Sequence, residues 1–171
     1  ERAARWSARG RVFVHAPVFM APIHCQEGTG LMIVSGPKAQ CDALTPELQR
    51  MTSKVEWLGE APERAAAFKL FGNLTLIGMN GVLGDVARLA HSVGISAPDA
   101  MALFSIFNPG AMISARAAKI ASGPWSPPSF EVSMARKDVR LMIEEAARHG
   151  VDLRVMPAVA SLFDDAIRSE E

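Results

Sequence analysis

Hydrophobic and polar positions divide the chain into two stretches with different periods. In the first sixty residues, apolar positions come in short runs broken by glycine and proline. Arg11–His15 (RVFVH) alternates polar and apolar before Pro17, the period of a half-buried strand. Leu31–Val34 (LMIV) is apolar throughout and bounded by Gly30 and Gly36, which predicts a buried strand. Lys54–Leu58 (KVEWL) alternates again. Two helical segments accompany these strands. Glu1–Arg9 is stopped by Gly10, and Pro37–Met51 starts with a proline in the first turn, where a missing N–H costs nothing. The pattern predicts strand, strand, helix, strand: the end of an α/β sheet.

Beyond Pro62 the period becomes helical. Ala66, Leu70, Leu74, Ile77, Val82, Val86 and Leu89 recur at helical spacing, with no proline before about Val93. A helix of roughly thirty residues is about 45 Å long, more than the width of a small domain. Its glycines at 72, 78, 81 and 84 each cost about 1 kcal/mol in a helix interior, so they predict close approach of another helix or a ligand. Further helices are predicted over Pro98–Phe107, Gly110–Ala121, Glu131–His149 and Val155–Arg168, with a stiff Gly123–Ser129 loop (GPWSPPS) in between. The fold class is α+β. Residues 1–61 form the end of an α/β domain, and residues 62–171 form an all-helical domain that begins with the long helix.

Composition narrows the function. Of 171 residues, 49% are hydrophobic and 21% charged, the balance of a soluble globular protein. Lys plus Arg equals Asp plus Glu at 18 each, which argues against a general nucleic-acid binder, whose affinity needs a basic excess facing phosphates. No uninterrupted run of 18 apolar residues occurs, so no membrane span is expected. Cys25 and Cys41 have neither metal-ligand spacing nor the number for a disulfide framework, which fits a reducing, cytoplasmic setting. The four histidines (15, 24, 91, 149) lack HxH or HExxH spacing, so no metal site is expected. Tyrosine is absent, which removes a catalytic tyrosine from consideration.

Three places could carry chemistry. Lys69 and Asn73 are spaced i, i+4 and project from one helix face. The amine can exchange a proton with a substrate hydroxyl while the amide orients a substrate oxygen. The same spacing also fits a solvated surface lysine. Lys137-Asp138 lies at the start of the predicted 131–149 helix, where Asp138 would favour the helix dipole and Lys137 would meet an anionic group; an exposed dipeptide is the plainer reading. Gly28-Thr29-Gly30 invites a phosphate-loop reading, but a dinucleotide fingerprint needs a third glycine where Ile33 stands, and a helix where a strand is predicted. These glycines are expected to turn the chain between two strands.

Taken in order, the pieces resemble the β-hydroxyacid dehydrogenase (3-hydroxyisobutyrate dehydrogenase-like) family over nearly the whole chain. The family's DAPVSGG-type motif is met by His15-Ala16-Pro17-Val18-Phe19-Met20-Ala21, and its A-x-x-G-x-L segment by Glu27-Gly28-Thr29-Gly30-Leu31. Its K-x-x-N-N helix, starting near a glycine, is met by Gly59 and then Lys69-Leu70-Phe71-Gly72-Asn73. An acidic-apolar helix end closed by Gly-Leu is matched by Asp85 through Gly94-Ile95, and F-x-x-x-L-x-x-K-D by Phe130 through Lys137-Asp138.

The resemblance implies a Rossmann domain, a long interdomain helix and a helical domain that forms a homodimer or homotetramer. It implies NAD or NADP as cofactor, bound mainly by a domain absent from this chain, which starts at Glu1 and reads as cut from something longer. It implies Lys69 as the catalytic acid/base, Asn73 as its partner in holding a small-molecule substrate, and Lys137 as a cofactor-binding residue. Two departures stand out. Phe19, Met20 and Ala21 occupy the substrate-binding positions where the family's Ser-Gly-Gly grips a carboxylate, which points to a larger or less polar substrate. Gly72 replaces the first asparagine of the pair. An NADP-dependent imine or aldehyde reductase is the alternative enzyme; retention of Lys69 favours hydroxyl/carbonyl chemistry over it. A non-catalytic helical dimerisation module would need neither Lys69 nor Asn73.

Overall fold

A computed structural model describes residues 1–123, 126–128 and 130–169. It divides into two compact units, Glu1–Ile77 and Gly78–Glu171.

In the first unit the all-apolar run becomes the centre of a three-stranded sheet. Strand β2 (Leu31–Val34) pairs antiparallel with β1 (Val18–Phe19) and parallel with β3 (Lys54–Trp57). Covered on both flanks, β2 buries Met32, Ile33 and Val34, whereas the edge strand β3 stays largely exposed. A parallel pair needs a crossover, and helix α3 (Lys38–Leu48) supplies it. Met32, Val34 and Cys41 form the core, with Val14, Ala16, Val18, Leu48 and Val55 against them.

Several local expectations change. Arg11–His15 is not a strand: among the described residues only His15 finds a ladder partner, exchanging two backbone hydrogen bonds with Ser35. Alternation alone cannot make a strand without a neighbour to pair with. A short helix α2 (Pro22–Glu27) follows β1 instead, opened by Pro22 and closed by Gly28 at φ +65°. The Gly28–Gly30 turn therefore joins a helix to a strand, not two strands. Helix α1 (Arg2–Ser7) ends before Gly10, as its composition predicts. In α3, Pro37 is the residue before the helix, and the helix stops at Leu48 rather than Met51. Pro46 lies inside it and has no N–H to return to the preceding turn.

The long helix α4 (Arg64–Ser92) forms as its period predicts, 29 residues or about 44 Å. By length and composition alone it could cross a membrane, and its most apolar window lies open in the structure. Leu74 is 74% and Ile77 69% exposed. Of its glycines, 72 and 81 are met closely by Phe19 and Val155 respectively, while 78 and 84 face open space.

The rest of the second unit is helical. Helix α5 (Ala97–Ala102), capped by Ser96 through Asp99, runs into a 3-10 turn at Leu103–Ser105; a second such turn, Pro109–Met112, precedes α6 (Ile113–Ser122). Within the expected 123–129 loop, Pro124, Trp125 and Ser129 lie outside the described residues. Helices α7 (Val132–Arg148) and α8 (Met156–Ser169) pack on each other, with Phe130 and Phe163 ring centroids 6.5 Å apart and Arg136 gripping Asp164 through two hydrogen bonds of 2.7 and 3.2 Å. Because α7 starts at Val132, Lys137 and Asp138 sit in its second turn, past the first turn where the dipole acts. The expected dipole role of Asp138 fails for that reason.

Candidate active site

Three residues hang from the central strand. Phe19, on β1, is registered by its pairing with Leu31. Ser35, fully buried just past the end of β2, accepts the Ala65 N–H at 3.0 Å and donates to the Pro62 carbonyl at 2.9 Å, which fixes the start of α4 against the sheet. Gly36 at φ +141° then lets the chain turn, and its N–H bonds the Gly59 carbonyl. Ala65 is wholly buried on the face so anchored, and helical spacing carries Lys69, Gly72 and Asn73 along that face.

The geometry there joins the two departures seen in the sequence. The Phe19 ring lies against Gly72: a Cβ on Gly72 would stand 2.4 Å from its Cε1 and Cζ. The same ring lies under Lys69, whose Nζ is 4.2 Å from the ring centroid. Met20 fits in the same way, since a Cβ on Gly30 would stand 2.7 Å from its Cγ. Two bulky side chains thus occupy room left by two glycines. Sequence reasoning treated Phe19 and Gly72 as separate losses; two motifs that both depart from one family pattern, one gaining volume and one losing it, were the available signal.

Lys69 is half-buried and forms no ion pair among the described residues. Its ammonium has the aromatic face on one side and keeps donors for a ligand. Asn73, one turn further, is half-buried, and its side chain makes no hydrogen bond among the described residues. Phe19 and Lys69 are therefore brought together, with Asn73 one helical turn beyond Lys69 on α4. Ala21 is exposed at the start of α2, where its N–H donates to His24 Nδ1 at 2.9 Å. Lys137 belongs to the second unit, exposed and ion-paired with its neighbour Asp138 at 3.2 Å.

A nicotinamide dinucleotide asks for a pyrophosphate cradle, and the described residues do not supply one. Gly28–Gly30 feeds a strand, and Gly30 is taken up by Met20. What the chain does supply is the Lys69 amine over an apolar ring, with the Asn73 amide one turn along the helix. No group of three or more His, Cys, Asp or Glu that could hold a metal occurs among the described residues.

No protein-family profile matches the chain. A curated relative, the 3-sulfolactaldehyde reductase of Escherichia coli (strain K12), is 24% identical over 165 residues, covering 95% of this chain and 55% of that protein. The chain thus spans about half the length of the curated relatives it matches. Among solved structures, the Streptomyces aurantiacus imine reductase matches with TM-score 0.80 at 23% identity, over 98% of this chain and 60% of that one. An imine reductase from Myxococcus stipitatus in complex with NADP+ gives 0.88 at 11% identity, with the same coverage of 98% and 60%. A reductive aminase from Aspergillus terreus, in complex with NADPH and ethyl-5-oxohexanoate, gives 0.85 at 19%, over 98% and 59%. The fold is that of these reductases. The resemblance to β-hydroxyacid dehydrogenases read from the motifs stands with them: the chain has the helical fold and small sheet of that dehydrogenase architecture.

Proposed function

We propose that the chain is the proton-transfer half of an NAD(P)-dependent oxidoreductase that interconverts a carbonyl compound and its alcohol. The observation that carries this is Lys69, held on the sheet-anchored face of α4 with its ammonium unpaired by any carboxylate of the described residues and Asn73 one turn away. In the reducing direction Lys69 gives a proton to the substrate oxygen as negative charge develops there, and Asn73 donates a hydrogen bond that orients the substrate. The nicotinamide, when bound, would supply the hydride, and the family pattern alone assigns Lys137 to the cofactor. Solved relatives in complex with NAD+, NADP+ and NADPH support that cofactor class. The test is turnover by the whole enzyme that carries this chain, over aldehydes, ketones and 3-hydroxy acids. Oxidation or reduction of none of them with either cofactor would overturn the reading.

Imine reduction is the second reading, favoured by the Phe19 ring where a carboxylate grip would be. Against it, a protonated iminium would be pressed towards the Lys69 ammonium, a like-charge contact.

The partner for α4 is a second copy of the chain. On α4 the apolar side chains of Leu70, Phe71, Leu74 and Ile77 are each more than half exposed, a surface that a partner would cover. A monomer by sedimentation at micromolar concentration contradicts the dimer. Retention of the protein by neutral lipid vesicles would assign that face to a bilayer instead.

A further inference from the structure

We propose that Gly72 is a specificity-determining position: its missing side chain makes the seat that holds the Phe19 ring against Lys69, and the seated ring selects neutral carbonyl substrates over carboxylates. This deepens the oxidoreductase reading and rests on it for the substrate, but the seat stands on geometry alone.

Glycine is not needed at 72 for its backbone. The residue lies inside α4 with helical dihedrals, where glycine costs about 1 kcal/mol relative to alanine. Gly78 and Gly84 have open space around them, so their neighbours do not explain them. At Gly72 the neighbour does. The Phe19 ring atoms would lie 2.4 Å from a Cβ, a separation at which the ring must leave or the helix must move. Those atoms are the far edge of the ring, on a strand residue whose backbone is registered by pairing with Leu31, so the ring is what a Cβ would displace. Met20, the next residue, also lies against a glycine, Gly30, but φ +98° there calls for glycine whatever its neighbour, so only Gly72 is explained by the side chain it faces.

The consequence is electrostatic. A carboxylate needs donors, and a small hydroxyl with bare backbone amides would provide them. An aromatic ring offers none, and its face carries the negative end of the ring quadrupole, which attracts the Lys69 ammonium and repels an anion. With the ring in place, Lys69 and Asn73 remain to meet a single carbonyl oxygen, and Phe19 and Met20 present hydrocarbon to the rest of the substrate. A neutral aldehyde or ketone with an apolar or esterified arm fits that surface; a free carboxylate would lose its water there without replacement hydrogen bonds.

The experiment compares 4-oxobutanoate with its methyl ester, one aldehyde with and without the charge, in the whole enzyme. The expected result is a kcat/KM at least tenfold higher for the ester. Phe19→Ser should bring that ratio down at least fivefold, and Gly72→Ala, which removes no donor and adds only a methyl group, should move it the same way by unseating the ring. An unchanged ratio in a folded Gly72→Ala protein, or a wild-type preference for the acid, overturns the selectivity. A urea-denaturation cycle over Gly72→Ala, Phe19→Ala and the double variant tests the seat without any turnover. Gly72→Ala should destabilise the protein with Phe19 present and cease to do so in the Phe19→Ala background; additive effects overturn the seat. Turnover of neither aldehyde, with coupling intact, would instead sink the oxidoreductase reading and the substrate claim with it.

Discussion

Two sets of polar side chains, one in each unit, are used in opposite ways. Asp85 and Asp164 in the second unit are satisfied. Asp85 on α4 is 4% exposed, and its carboxylate accepts the backbone N–H groups of Arg154, Val155 and Met156 at 2.7, 2.8 and 3.0 Å, capping the start of α8. Burial alone would raise its pKa; the three N–H donors and nearby Arg88 outweigh that and hold the carboxyl below its usual range. Arg136 likewise occupies both oxygens of Asp164 and lowers its pKa. In the first unit Lys69 and Asn73 lie on an equally well-anchored helix face and are left without such partners among the described residues. Satisfied charges build architecture. Charges anchored but left open are available for a ligand.

That contrast is broken or sharpened by substitutions on each side. The largest effect is expected from Lys69→Ala, which should lower kcat of the whole enzyme by about 10²–10⁴, the usual worth of a positioned proton carrier, with little change in KM or in melting temperature. An unchanged kcat would make Lys69 an ordinary surface lysine. Asp85→Ala should do the reverse, unfolding more easily by about 3 kcal/mol in urea, because it strands buried N–H donors. Retained stability would show that water replaces the carboxylate at no cost.

The pH dependence has a definite sign. A carboxyl whose pKa is lower folded than unfolded binds fewer protons in the folded state, so stability rises with pH there. The Asp85 contribution is therefore complete above the unfolded value of about 4 and is lost as pH falls through the lower folded value. The wild type should lose melting temperature on acidification below pH ~4 more steeply than Asp85→Asn does; parallel curves would remove Asp85 as the cause. Lys137→Ala should raise KM for the cofactor by about fivefold, the order of one exposed charge contact, without altering melting temperature. The smallest effect is expected from Arg136→Ala, which should lower the melting temperature by less than Asp85→Ala does, because water screens that pair.

Much of the architecture could be read from periodicity. The LMIV run became the buried central strand with its predicted bounds, and the apolar spacing after Pro62 became α4 within two residues at each end. The misses had different causes. RVFVH had the right alternation and no partner strand among the described residues, and the α2 helix was hidden in a segment too short to show a period. Lys69 and Asn73 are named by the family pattern, and helical spacing puts both on the face of α4 that Ala65 anchors.

What sequence alone determined is which residues can form each element, because helix and strand periods are local and glycine and proline act where they stand. Which departures belong together was decided only by tertiary structure. Phe19 and Gly72 are fifty-three positions apart, and nothing local links an added ring to a missing side chain. Their fit exists because Leu31 registers one and Ser35 anchors the other, so both are placed by the same strand. Volume complementarity is a property of the packed chain, and it turned two apparent losses into one surface.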